Sequence, residues 1–219
     1  MRILTTVIAR SVWLFPTEDI NPKGMDLVPV WAQLKNRYQF HRFPSKPEDY
    51  SPQSGGIQFA KGAFRLEDGS QIEILSLTVY SDGVVAETKN STDATDAFVR
   101  DVLATITKNP QFVFKEEMVR KKAYASHLIA TSELDLDAVG RKFLEFCALL
   151  STTVGTDSEF KTVSLRFGTD STSRVGAMMF SFERQENHGF SENRYYSQAP
   201  TSTQDHEKLL DAWERMFAN

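Results

Sequence analysis

The chain of 219 residues contains a single cysteine, Cys147. One thiol excludes an internal disulfide and a zinc site built from several cysteines. Its lack of a partner suits a reducing, intracellular compartment. No apolar run approaches the roughly 20 residues that a membrane-spanning helix needs. The opening stretch, residues 1–10, is diluted by Thr5 and Thr6 and stopped by Arg10, so it is too short for a secretory core. A cytoplasmic location and no membrane partner are therefore expected.

An excess of positive charge is also missing. Lys and Arg number 25 against 29 Asp and Glu, a net charge of −4. Residues 1–110 carry 12 basic and 13 acidic side chains, and residues 111–219 carry 13 and 16, so neither half is basic. Bulk attraction to nucleic acid or to an anionic membrane is not indicated. Phosphate-cradling loops are absent as well. Ser54-Gly55-Gly56 and Lys61-Gly62 form neither a Walker nor a dinucleotide motif, and G-x-S-x-G does not occur. No strand–helix alternation suggests a parallel nucleotide-binding sheet. The four histidines, His41, His127, His188 and His206, include no i, i+4 pair and no metal-site spacing. No metal or cofactor is expected.

What the chain does contain is a pattern seen twice: two apolar strands, a polar break, then a capped amphipathic helix. The first copy spans 71–107, with strands at 72–80 and 84–88 and a helix announced by Asn90-Ser91-Thr92-Asp93. The second spans 160–217, with its helix announced by Thr201-Ser202-Thr203-Gln204-Asp205. The two cassettes read either as a duplication of a β-β-α unit or as common hairpins and caps in an ordinary α+β chain; both predict the same core. The fold class is α+β, a mainly antiparallel sheet with three to four amphipathic helices packed on it. Residues 1–219 read as one compact domain, with 1–110 and 111–219 as the natural subdivision.

Local signals sharpen this outline. Residues 3–15 are β-prone and end at Pro16. Asp26 caps a helix with Pro29 in its first turn, where a missing N–H costs nothing. Leu27, Val30, Trp31, Leu34 and Tyr38 form its buried stripe. A strand is expected from Gln39, and 45–56, rich in proline and glycine, reads as a long connection. In 72–79 the apolar parity switches between Ile74 and Leu75, which requires a bulge or sharp bend. The first cassette helix buries Phe98, Val99, Val102, Leu103 and Ile106 and turns Asp96, Arg100, Asp101 and Lys108 to solvent. Asn109-Pro110 closes it. Residues 111–115 and 119–132 read as strands.

A helix starting near Leu134 or Asp135 carries Val139, Phe143, Phe146, Cys147 and Leu150, with Leu144 and Leu149 widening the stripe. That breadth predicts cover on more than one side and places Cys147 in the core. In the second cassette, Val163, Leu165 and Phe167 share one face, as do Met178, Phe180 and Phe182. The last helix is expected to bury Leu209, Leu210, Trp213, Met216 and Phe217. His127 reads as a buried, hydrogen-bonded structural histidine, and His206, in a first helical turn, as a solvated one.

The richest candidate for recognition is 186–197, where aromatics, Asn and Arg interleave with small polar residues. His188, Phe190, Arg194, Tyr195 and Tyr196 are the expected partner-binding residues, since Tyr and Arg are favoured interface anchors. The competing reading folds Phe190, Tyr195 and Tyr196 back onto the sheet as an extra strand. Arg120, Lys121 and Lys122 form a compact basic run suited to phosphate contact. Glu159-Phe160-Lys161 resembles the acid-x-lysine triplet of restriction-type nucleases, in which two carboxylates hold a divalent metal. Its upstream acid would be Asp135 or Asp137, separated from it by a whole helix. The expected role is a non-catalytic binding or accessory subunit of a larger intracellular assembly, with a protein partner or a homo-oligomer. The alternative is a metal-dependent enzyme acting on nucleic acid or a phosphorylated substrate.

Overall fold

The computed structural model describes residues 1–46, 49, 55–133, 136, 141–155, 159–170 and 178–217. In chain order the elements are β1 (Arg2–Leu14), α1 (Thr17–Ile20), α2 (Val28–Tyr38), β2 (Ile57–Arg65), β3 (Gln71–Tyr80), β4 (Gly83–Thr88), α3 (Thr92–Ile106), β5 (Lys121–Thr131), α4 (Arg141–Val154), β6 (Ser164–Gly168), β7 (Met179–Arg184), β8 (Arg194–Ala199) and α5 (Thr203–Phe217). The class is α+β, with an antiparallel sheet of strand order β2-β3-β4-β1-β5-β8-β7-β6. The chain divides into two compact units. The first comprises 7–126 with 201–203; the second comprises 1–6, 127–200 and 204–219.

In the first unit, β3 pairs with both β2 and β4, and β4 pairs with β1. The parity switch in β3 has the predicted consequence. The β3–β4 register slips between Ile74, opposite Thr88, and Ser76, opposite Glu87, so Leu75 is the extra residue. The bulge lets Ile72 and Ile74 before it and Leu77 after it all be buried. Helix α2 turns Val30, Trp31, Leu34 and Tyr38 inward and carries a proline in its first turn. The Asp26 carboxylate accepts from the Val28 N–H at 3.0 Å, just ahead of the helix. Helix α3 is capped by Ser91, whose hydroxyl accepts from the Ala94 N–H, and buries the five expected apolar residues. Tyr38 stands edge-on to Phe98 at 5.0 Å, with Phe40 and Phe64 beside it.

Three local expectations fail in this unit. Gln39 ends α2 in a left-handed conformation (φ 53°), which reverses the chain, so the strand expected there shrinks to one bridge, Arg42 to Ala60. Residues 111–115 run as a turn and irregular backbone. Phe112 is drawn into the core, and the Val113 N–H donates to the Ile20 carbonyl rather than to a ladder. Asp96, expected in solvent, is 6% exposed. The connection at 45–56 lies largely outside the described residues.

The second unit has its own core of Leu128, Ala130, Leu136, Phe182, Tyr195 and Leu210. Its hairpins β6–β7 and β7–β8 put three strands before α5, where the sequence reading has two. Helix α5 buries a different stripe from the expected one. Thr203, His206 and Leu210 are buried, continuing through Trp213 and Phe217, while Leu209 is 49% and Met216 73% exposed. The inward residues step by three and four, so His206 occupies a core position, a correction to its surface assignment. It is held there by Ser197 Oγ, 2.9 Å from its Nε2, with the Phe180 ring edge-on. His127 is half-buried and bonded to the Tyr196 hydroxyl. Among the described residues no helix is long and apolar enough to cross a membrane.

Candidate functional site

The segment 186–197 is folded rather than extended. Asn187 and Asn193 adopt left-handed conformations, φ 63° and 46°, on either side of a short 3-10 turn at Phe190–Glu192. Glu192 closes the turn by accepting from the Gly189 N–H at 2.8 Å and by pairing with His188 Nδ1 at 2.9 Å. The His188 hydrogen bond, aided by Gly189, holds the Glu192 carboxyl below its ordinary range. Arg184, itself buried, donates to the Phe190 carbonyl at 3.2 Å and lies 4.4 Å from the Phe190 ring centroid. Tyr195 and Tyr196 sit on β8. Tyr195 is fully buried, stacked on Phe182 at 4.5 Å, and its hydroxyl accepts from the Leu136 N–H. Its ring presents no surface in the isolated chain. Phe190 is 38% exposed, and His188, Arg194 and Tyr196 are half-buried.

The basic run divides. Lys122 lies 3.7 Å above the Trp13 ring and donates to Glu116 at 2.9 Å, which lowers the Glu116 carboxyl. Arg120 and Lys121 are exposed and border a depression also lined by Glu18 and Asp82. Beneath Lys122 is a buried polar knot. The Trp13 indole N–H donates to Asp96 Oδ1 at 2.8 Å, and the Tyr124 hydroxyl donates to Oδ2 at 3.0 Å. Periodicity alone put Asp96 in solvent. It is buried because β1 and β5 supply two donors that the helix pattern does not contain.

Burial, with the Asp96 charge and hydrogen bond, pushes the Tyr124 phenol from its ordinary 10 to about 12. A raised folded-state value means that the protonated phenol stabilises the fold fully below the unfolded-state value and loses that contribution as pH rises through the folded one. Stability is therefore expected to fall between pH 10 and about 12. Tyr124→Phe should lose less over that window than the parent chain, as measured by urea midpoints at each pH. An identical alkaline fall in both proteins would refute this.

The acidic alternative gains little from the described residues. Glu159 is exposed and pairs only loosely with Lys161, at 3.8 Å. Asp135 and Asp137 lie outside the described residues. Among the described residues no group of three His, Cys, Asp or Glu side chains could hold a metal. Cys147 is partly exposed, neither sealed in a core nor beside a cation that any described contact provides.

The largest departure from the sequence reading is α4. Phe143 is 51%, Phe146 58% and Leu149 61% exposed, and Leu144 and Val154 are also open. The helix expected to be covered on more than one side displays its apolar residues instead. Nearby in sequence, Phe160, Val163 and Phe167 are exposed, as are Met178 and Met179 at the start of β7. Strand β6, carrying Phe167, ends the strand order, so one of its edges has no strand partner among the described residues. The signal was present in the sequence as stripe width. An apolar arc wider than one neighbour can cover implies a second neighbour, and the described residues do not provide it. No protein-family model and no curated protein matches the chain.

Proposed function

We propose that this chain is a non-catalytic binding or accessory subunit working through protein contacts, with α4 of the second unit as the contact element. The observation that carries this reading is the row Phe143, Phe146 and Leu149, each more than half exposed. Isolated exposed apolar residues are ordinary, but several large ones on one short helix mark an interaction surface. Aromatic side chains are also the type that anchors interfaces. Phe190 and Arg194 are secondary contacts in this proposal, and Tyr195 supports them from the core.

The test is a double substitution, Phe146→Asp with Leu149→Asp, compared with the parent by light scattering and by recovery of partners from the native host at low salt. Both residues are exposed, so the fold is expected to survive. The parent should self-associate or retain a partner, and the variant should lose that association by at least about tenfold. A parent that runs as a lone monomer without partners, with unchanged behaviour in the variant, would overturn the reading.

A further inference from the structure

The first unit contains a half-open cavity of about 350 Å³ lined in part by α1. Trp31 of α2, Val102 and Ile106 of α3, Ile57 of β2, Val84 of β4 and Phe112 line its interior. Protein cores are packed like organic crystals, with few voids larger than a water molecule. This one exceeds by more than twofold the roughly 150 Å³ cavity that a large-to-small core substitution leaves, which already accepts benzene. Its size and lining are those of a small-molecule site: apolar walls with a few polar groups at one end. That end is formed by Thr17, Glu18, Asn21 and Ser81. Thr17 donates to the Ser81 carbonyl at 3.0 Å, and the Asn21 side chain is tied at both ends to the Met25 backbone, so the rim is built rather than loose.

The rim does not open onto featureless surface. The charged depression bordered by Arg120, Lys121, Glu18 and Asp82 shares Phe15, Glu18 and Ser81 with the cavity, so the two spaces adjoin. The depression offers two cations and two carboxylates. A ligand head of one sign would meet like as well as opposite charge there, whereas a head carrying both signs can be matched by both. Allowing roughly 30 Å³ per carbon-sized group, the cavity accommodates on the order of ten carbons.

We propose that the first unit binds a single-tailed zwitterionic amphiphile, with its tail of about ten carbons in the apolar cavity and its head against Arg120, Lys121, Glu18 and Asp82. The apolar walls supply affinity and the paired charges supply discrimination between heads. The site lies in the first unit, so it is independent of the α4 contact proposed above.

Decylphosphocholine below its micellar concentration, added to the full chain, is the direct probe. Titration is followed by tryptophan fluorescence, for which Trp31 in the cavity wall is the reporter, and by thermal melting. Saturable binding with a raised melting temperature is expected. Decanol, decanoate and decylamine should each bind at least about fivefold more weakly. Arg120→Ser and Glu18→Gln, both at exposed positions, should reduce that preference without altering the melting temperature of the free protein. Val102→Phe should fill the cavity and weaken binding by about tenfold. Should that variant misfold, Ile106→Ala enlarges the same space and should shift the preferred tail towards twelve carbons. The proposal is overturned if decylphosphocholine fails to bind saturably. It is overturned equally if the four heads bind alike, or if neither cavity variant changes affinity or tail preference.

Discussion

Replacing Asp96 by alanine is expected to destabilise the first unit by about 3 kcal/mol, because it strands the buried Trp13 N–H and the half-buried Tyr124 hydroxyl, which share one carboxylate. The Trp13 indole and the Tyr124 hydroxyl approach different oxygens of the same carboxylate. Trp13 is fully buried and cannot turn its N–H to water without leaving the core. Lys122 and Arg100 lie 3.7 Å and 5.5 Å from the Trp13 ring centroid, so the ring that donates to Asp96 is itself packed against two cations. Asp96→Asn keeps one acceptor oxygen and should cost roughly half as much. A double-mutant cycle with Tyr124→Phe should show coupling of about 1 kcal/mol, since the two groups share a bond. Additive losses in chemical denaturation would show that the knot is not a unit.

Gly83→Ala is expected to cost about 3 kcal/mol, by combining backbone strain with a clash that has nowhere to go. Gly83 opens β4 opposite Leu14 of β1 and opposite Tyr80 of β3, with φ of 154°. A Cβ there would stand 2.2 Å from the Trp13 carbonyl oxygen. That neighbour is backbone in a paired strand, so relief would require β1 and β4 to separate. Gly69, also at positive φ, has nothing within 4 Å of the added carbon and serves as the control. Gly69→Ala should suffer only its conformational strain, roughly 1 kcal/mol. Equal losses at the two positions, read from thermal midpoints, would refute the steric argument.

The two corrections that matter most concern polar and apolar residues in opposite senses. Helical periodicity places Asp96 on the solvent face and a first-turn position places His206 there, yet both are buried. The helical period locates a residue on an arc, but not what the neighbouring element offers it. Asp96 is inside because Trp13 and Tyr124 donate to it, and His206 because Ser197 receives it. On α4 and α5 the error runs the other way. The apolar stripes place Phe146, Leu149 and Met216 on inward faces, and all three are open.

Local chemistry in the sequence determined much of the first unit: the proline-started α2, the Ser91 cap of α3 and the β3 bulge. Each follows from short-range constraints, namely backbone torsion, capping geometry and the two-residue period of a strand. The tertiary structure alone decided the burial of Asp96 and His206 and the reach of the Phe190 turn back onto Arg184. These depend on which distant side chain fills a given space, and pattern along the chain carries no record of that. The adjoining apolar and charged spaces in the first unit belong to the same class, because their walls are assembled from β1–β5, α1–α3 and the turns between them.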